Sequence, residues 1–222
     1  FEILVNCLTN YKTQVFVESK FLEIQKETYH NDWSFGIFKE LDNSYDLFIS
    51  IGGDGTILRA ITYVRDLDIP IVGINTGRLG FLATIKRDDI IGALDQIFEG
   101  KYRISKRSVL SVTTNQKESN FELDFALNEV TVSRKNTTSM ITVETQLNDE
   151  YLTSYWADGL IIATPTGSTG YNMSCNGPIL FPDSSSFVIT PVAPHNLNVR
   201  SVVVPDSSVI SFEIEGRTEE LI

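Results

Sequence analysis

Four stretches of this chain combine residue types that can do chemistry at spacings ordinary connecting loops rarely show. The first is Gly52–Thr56, GGDGT, set between the apolar run Leu47–Ile51 and a helix-compatible segment. Glycines after a buried strand let backbone N–H groups approach an anion, and the following helix offers its positive end to it. Gly52, Gly53, Gly55 and Thr56 are therefore the candidate phosphate loop. No Lys-Ser/Thr follows, so it is not a Walker loop. Leu58 stands where a dinucleotide fingerprint needs its third glycine. Asp54 is the anomaly, a carboxylate where a phosphate would meet negative charge. Read alone, the loop also fits a plain strand–turn–helix connection.

The second stretch is Asn75–Leu82, NTGRLGFL, also placed directly after a buried apolar run. Its Asn, Arg and two glycines three apart suit a second ligand-facing loop, or else a simple strand-to-helix link. The third is the polar pair Asn128-Glu129 inside FALNEVTVS. Alone, it fits a strand end with a solvated carboxylate as well as a binding pair. The fourth is Asp158–Gly177, DGLIIATPTGSTGYNMSCNG, in which Thr164, Thr166, Ser168, Thr169, Tyr171 and Ser174 fall within 11 positions. Many hydroxyls with little charge suit neutral groups such as an adenine edge or ribose, with Tyr171 able to stack on a ring. Thr166 occupies the first glycine position of G-x-S-x-G around Ser168, which argues against a hydrolase elbow. The only histidines, His30 and His195, read as structural or surface residues.

The elements that must hold these stretches change character along the chain. Up to about residue 100, apolar runs alternate with amphipathic ones. Gln14–Val17, Asp46–Ile51 and Ile69–Asn75 read as strands; Lys20–Glu27, Gly55–Asp66 and Asp88–Phe98 read as helices, the last capped by Gly100. That alternation predicts parallel pairing and α/β layers. From Lys101 onward the runs are β-rich, several with the two-residue period of a half-buried antiparallel strand, and Asn148-Asp149 is placed for a hairpin turn. The expected domains are 1–102, α/β with GGDGT, and 103–222, all-β.

The net charge of −11 over 222 residues disfavours a nucleic-acid partner, whose phosphates call for a basic surface. Cys7 and Cys175 are too few for a disulfide framework or zinc site and read as reduced thiols. No stretch approaches the roughly 18 apolar residues of a membrane span, and no signal peptide is visible. A cytoplasmic protein is expected. Because the chain opens on Phe1 and stops at Ile222 within a strand-like stretch, residues are expected to precede and follow it.

Taken together, GGDGT, NTGRLGFL, Asn128-Glu129 and DGLIIATPTGSTGY resemble bacterial NAD kinases in order and approximate spacing, over about residues 45–205. Diacylglycerol and sphingosine kinases, and more distantly phosphofructokinases, share a GGDGT-like loop but lack the TPTGSTGY segment. The resemblance implies a Rossmann-like, phosphofructokinase-like α/β domain followed by an all-β domain, with a site in the cleft between them. It also implies Mg²⁺-dependent transfer of a phosphoryl group from ATP, or from another nucleoside triphosphate or polyphosphate, to the 2′-hydroxyl of the adenosine ribose of NAD, giving NADP. Asp54 would then be catalytic, orienting that hydroxyl and accepting its proton. The same resemblance assigns Asp54, Gly55, Asn128, Glu129, Thr166, Thr169, Gly170, Tyr171, Asn172, Met173 and Ser174 to substrate binding. Arg59 is a candidate phosphate or cofactor contact, or else a solvated helix residue. Asp158, and with less support Ala193, would reach NAD on a neighbouring subunit of a homodimer or homotetramer. No metal ligands are assignable, so Mg²⁺ would arrive with the donor phosphates.

Departures from the family pattern are Gly170, where Ala is commoner, and Cys175-Asn176, where small residues are. A family-typical opening strand with its nucleotide-facing loop, and a closing segment, are not recognisable. Two rival readings are a lipid kinase sharing GGDGT and a non-catalytic NAD or NADPH sensor. The hydroxyl-rich stretch and the absence of an apolar membrane-facing helix weigh against the first. An intact Asp54 weighs against the second.

Overall fold

Leu4, Val5, Cys7 and Leu8 share one face of the first helix, α1 (Glu2–Asn10), and all four are buried. The sequence pattern assigns no element there. In the computed structural model, which describes residues 1–28, 35–115, 123–135, 139–196 and 198–216, the chain divides into two compact units, Phe1–Ile104 and Ser105–Ile222. His30 and the last residues of the chain lie outside the described residues.

In the first unit β1 (Phe16–Glu18), α2 (Ser19–Thr28) and β2 (Gly36–Phe38) follow α1, and β1 pairs with β2 in parallel. Next come β3 (Phe48–Gly52), α3 (Asp54–Val64), β4 (Ile71–Asn75), β5 (Ile85–Lys86) and α4 (Ile90–Phe98). Strands β3, β4 and β5 form a parallel sheet in that order. Parallel strands need crossovers, and α3 supplies the first of them. Leu4, Cys7 and Leu8 of α1 pack with Ile74 of β4 and with Ile90 and Leu94 of α4. Gly100 closes this region at φ +71°, the left-handed conformation that ends helices.

The second unit is β-rich: β6 (Leu110–Ser111), β7 (Phe125–Ala126), β8 (Glu129–Ser133), β9 (Ile141–Leu147), β10 (Glu150–Ala157) and β11 (Gly159–Ala163) precede a short helical stretch. That stretch is a 3₁₀ turn, Gly167–Thr169, and a one-turn helix α5 (Tyr171–Ser174), a departure from the all-β expectation. Then come β12 (Ser186–Val192), β13 (Val202–Pro205) and β14 (Ile210–Glu215). Two larger antiparallel sheets result, β13-β12-β11-β8 and β10-β9-β14, beside the short antiparallel pair β6-β7. Asn148 and Asp149 make the β9–β10 turn at φ 53° and 66°, the pair of positive values a two-residue hairpin favours. β14 alternates partly buried and exposed residues, whereas β11 is buried throughout.

β11 is buried throughout because both its faces are covered. Leu160 and Ile162 join Ile141, Val143, Tyr155 and Ile189 in a core drawn from both sheets. Ile161 and Ala163 face the other way and pack with Val188, Cys175 and Leu180. The hydroxyl-rich segment therefore folds back over the outer face of its own strand.

Tyr155 is 1% exposed in that core, and its hydroxyl has no partner among the described residues. A buried hydroxyl without a hydrogen bond costs more than it returns. Tyr155→Phe should therefore raise stability by up to about 1 kcal/mol. Urea unfolding tests this directly; a lower midpoint would mean that the hydroxyl is satisfied.

Candidate active site

The parallel register of β3 and β4 sets Gly52 opposite Asn75, so GGDGT and NTGRLGFL leave the same edge of the sheet side by side. The carboxyl edge of a parallel sheet is where α/β proteins place ligands. Gly52 sits at φ +151°, and a Cβ there would lie 2.1 Å from Thr56 Oγ1, so only glycine fits. The chain then turns straight into α3, with Gly53 at its cap and no side-chain hydrogen bond closing it. Gly53 and Gly55 face open space. With no side chain capping it, the start of α3 has the character of a helix end suited to an anion.

Asn75 is buried and shapes the second loop from within. Its Oδ1 accepts the Gly77 N–H at 2.8 Å and its Nδ2 donates to the Arg78 carbonyl at 2.8 Å. Asp54 holds the far end of the same loop. The Phe81 N–H donates to Oδ2 at 2.7 Å, and the Leu82 and Ala83 N–H groups both donate to Oδ1 at 3.0 Å. Burial pushes the Asp54 carboxyl up, but the amides of Ala83, Phe81 and Leu82 together outweigh it and hold it below the usual value. Thus Asp54 meets neutral N–H dipoles rather than a phosphate. Arg59, one turn into α3, is mostly exposed; its guanidinium lies 3.8 Å from Glu18 and 3.4 Å from the Tyr63 hydroxyl.

In the second unit Thr164 ties the fourth stretch to the third. Its N–H donates to the Asn128 carbonyl at 2.9 Å and its hydroxyl donates to the Leu127 carbonyl. Gly167 then passes so close that a Cβ would lie 2.0 Å from the Asn128 carbonyl oxygen. Glu129 pairs with Ala163 across the sheet, and one of its carboxylate oxygens is 3.2 Å from where a Gly170 Cβ would stand. Asn128, Glu129 and the TPTGSTGY loop are therefore one locality. Glu129 Oε2 is buried and has no partner among the described residues, and burial pushes its carboxyl up.

The six hydroxyls divide into two groups. Thr164 and Ser168 are fully buried and bonded to the backbone, Ser168 accepting from Leu180 N–H at 3.0 Å and donating to the Pro165 carbonyl at 2.7 Å. Thr166 and Thr169 are half-buried, while Tyr171 and Ser174 are exposed together with Met173. Asn172 is fully buried. Its amide donates to the Ser168 and Pro178 carbonyls, and its oxygen accepts the Thr190 hydroxyl at 2.6 Å. The Asn172 side chain is thus spent on the loop itself. Thr190, which also bonds Ser201 at 2.9 Å, is invisible to motif reading because it sits inside an ordinary strand.

Asp158 and Ala193 are at the other end of β11. Asp158 bonds Arg134 at 2.9 Å, with its own N–H donating to Val192, and Ala193 has φ +45°. Four strand steps, roughly 13 Å, separate that end from Ala163. Nearby, the His195 ring packs on Trp156 at 4.3 Å. Among the described residues no group of three or more His, Cys, Asp or Glu is arranged to hold a metal.

The fold is that of a two-domain nucleotide kinase, and family models match both parts: the ATP-NAD kinase N-terminal domain over residues 2–102 and the C-terminal domain over 127–222. The chain belongs to the ATP-NAD kinase family. It is 55% identical to the NAD kinase of Christiangramia forsetii, covering 98% of this chain and 75% of that one. Against the NAD kinase of Flavobacterium psychrophilum it is also 55% identical, covering 96% and 74%. Among solved structures it resembles yeast NADH kinase complexed with NADH, at 26% identity and a TM-score of 0.81, covering 96% of this chain and 67% of that one. It also resembles an Archaeoglobus fulgidus NAD kinase in complex with ATP, at 28% identity and a TM-score of 0.67, covering 90% and 79%.

Two outcomes follow for the second unit. Thr190→Val leaves the Asn172 oxygen buried and unpaired, so stability should fall by about 1–3 kcal/mol in urea unfolding. Glu129 carries a raised carboxyl, so its contribution is favourable while protonated and is lost as pH rises through the folded-state value. Glu129→Gln should therefore unfold at a higher temperature than the parent at pH 7, with the gap closing towards pH 4. An equal gap at both pH values would show that the carboxylate is not penalised.

Proposed function

We propose that this chain transfers the terminal phosphoryl group of ATP to the 2′-hydroxyl of the adenosine ribose of NAD, giving NADP and ADP. The observation that carries the reading is Asp54, fixed at the start of α3 on the edge of a parallel sheet in a chain matched over both domains of the family. The ribose oxygen forms a bond to the γ-phosphorus as the bond from that phosphorus to the β,γ-bridging oxygen breaks. The electron pair of the broken bond leaves with ADP. The hydroxyl proton passes to Asp54 and then to solvent.

A carboxylate held below its usual pKa is a weak base. That suffices when the transition state is loose, because the attacking oxygen gains little bonding before the proton moves. The larger contribution of Asp54 is orientation, since a correctly aimed hydroxyl removes much of the entropic barrier. The open helix start formed by Gly53, Gly55 and Thr56 receives donor phosphates. Mg²⁺ carried by those phosphates would offset their charge. Asn128, Glu129, Thr166, Thr169, Gly170 and Tyr171 bind the adenosine half of NAD, with Met173 and Ser174 at its rim. Asn172 acts from behind, by holding this loop.

The position of Asp158 and Ala193 at the far end of β11 supports their reaching NAD bound to another copy of the chain, in a homodimer or homotetramer. The charge of −11 supports a reading without nucleic acid, and no described helix is long and apolar enough to cross a membrane.

The experiment is NADP formation from NAD, ATP and Mg²⁺, read with an NADP-specific dehydrogenase, beside Asp54→Asn. The parent should turn over, and the variant should lose about 10²–10⁴-fold in kcat, the usual range for a positioned proton acceptor. NAD binding by the folded parent without NADP formation would overturn the assignment in favour of a sensor.

A further inference from the structure

Gly80 lies in the middle of NTGRLGFL, and its need for glycine is not conformational, because its φ is not among the positive ones. The need is space. A Cβ on Gly80 would lie 2.2 Å from Asp54 Oδ1, 2.5 Å from Cγ and 2.6 Å from Oδ2. All three atoms are those of the carboxylate, which is tied down by the next three amides of the same loop. The carboxylate thus sits in a cradle whose floor is the bare Cα of Gly80 and whose wall is the N–H groups of Phe81, Leu82 and Ala83.

We propose that Gly80 is a positioning residue for phosphoryl transfer: by leaving its Cβ space to the Asp54 carboxylate, it lets three consecutive amides fix the direction in which Asp54 meets the acceptor hydroxyl. This rests on the kinase reading. A carboxylate offers about four acceptor directions. Oδ1 spends two on Leu82 and Ala83, and Oδ2 spends one on Phe81, so a single direction on Oδ2 remains. A side chain at position 80 meets only the end of the Asp54 side chain, so it is the carboxylate that must give way and leave these amides. The freed carboxylate keeps its charge but loses its aim.

Three features distinguish this from a role in folding alone. Gly80→Ala should lower kcat about a hundredfold, the scale of a misplacement near 1 Å, while the KM for NAD changes less than about threefold. Loss of the amides removes what holds the Asp54 carboxyl low, so the acid limb of the kcat profile should move to higher pH. In an Asp54→Asn background, where the cradle has already lost its carboxylate, adding Gly80→Ala should cost less than about threefold further. Full kcat and an unmoved pH profile in Gly80→Ala would overturn the proposal, as would equal losses in both backgrounds.

Hydrogen exchange separates this outcome from failure of the kinase reading, because it needs no turnover. The Phe81, Leu82 and Ala83 amides should be protected in the parent and exchange at least about tenfold faster in Gly80→Ala. Asp54→Asn changes almost no volume but puts an NH2 that cannot accept where Oδ2 receives the Phe81 N–H, so the Phe81 amide should exchange faster; it serves if Gly80→Ala does not fold. Unchanged protection of the Phe81 amide in Asp54→Asn would overturn the cradle. Protected amides in a parent that makes no NADP would leave the cradle standing and sink the kinase reading, and with it the catalytic role of Gly80.

Discussion

A negative charge at the mouth of an anion-binding loop is stable only if something nearby supplies compensating dipoles. In the first unit, three amides of the second glycine-rich loop do so. The hydrogen bonds from Phe81, Leu82 and Ala83 to Asp54 span 27 to 29 positions of sequence, and they exist because Gly52 and Asn75 are register partners in a parallel sheet. Remove that register and the two loops part. Asp54, at the first turn of α3, would then be without a fixed direction. The sheet, the turn residues Gly52 and Asn75, and the empty volume at Gly80 all serve one carboxylate.

The second unit reaches a similar end by opposite means. Its hydroxyl-rich segment is organised by buried polar groups that bond within it and to the elements packed against it. Thr164 ties the segment to Asn128, Ser168 ties it to Leu180, and Asn172 ties it to Pro178 and Thr190. Each such group costs several times more unpaired than it returns when paired, so a fully bonded set admits few alternative arrangements. What stays accessible is the complementary set, Thr166, Thr169, Tyr171 and Ser174. The loop is stiff where it is buried and chemically varied where it is not.

This division marks where sequence stops being legible. Strands ending in Gly-rich loops are readable because a buried apolar run that stops at glycine has lost both its side chains and its extended backbone, and β3 and β4 lie where the pattern puts them. The Asn148-Asp149 turn is readable because two residues tolerant of positive φ sit between alternating strands. The α/β-then-β order is legible for the same reasons. The helix α1 is not, since its buried face of Leu4, Val5, Cys7 and Leu8 gains meaning only against Ile74, Ile90 and Leu94, which lie far along the chain. Nor can composition say which hydroxyls of TPTGSTGYNMS point inward, because Thr164 and Thr166 are chemically alike and differ only in what packs over them. The partners of Asp54 are hidden most deeply: they are backbone groups, and backbone amides leave no signature in residue types.

That last point bears on how an acidic chain can handle anionic substrates at all. At −11 overall, the protein does not attract phosphates by bulk field. Of its basic side chains, Arg59 is already engaged with Glu18 and Tyr63. Oriented peptide dipoles supply positive potential instead: those at the start of α3 are open, while those of residues 81 to 83 are spent on Asp54. Dipoles fixed in a fold act over a few ångströms and are screened little by salt when partly buried, whereas lysines would act at long range and attract any polyanion. Anion contacts made through such dipoles depend on close fit more than on net charge. The net charge of −11 gives no general attraction for polyanions to set against that dependence on fit.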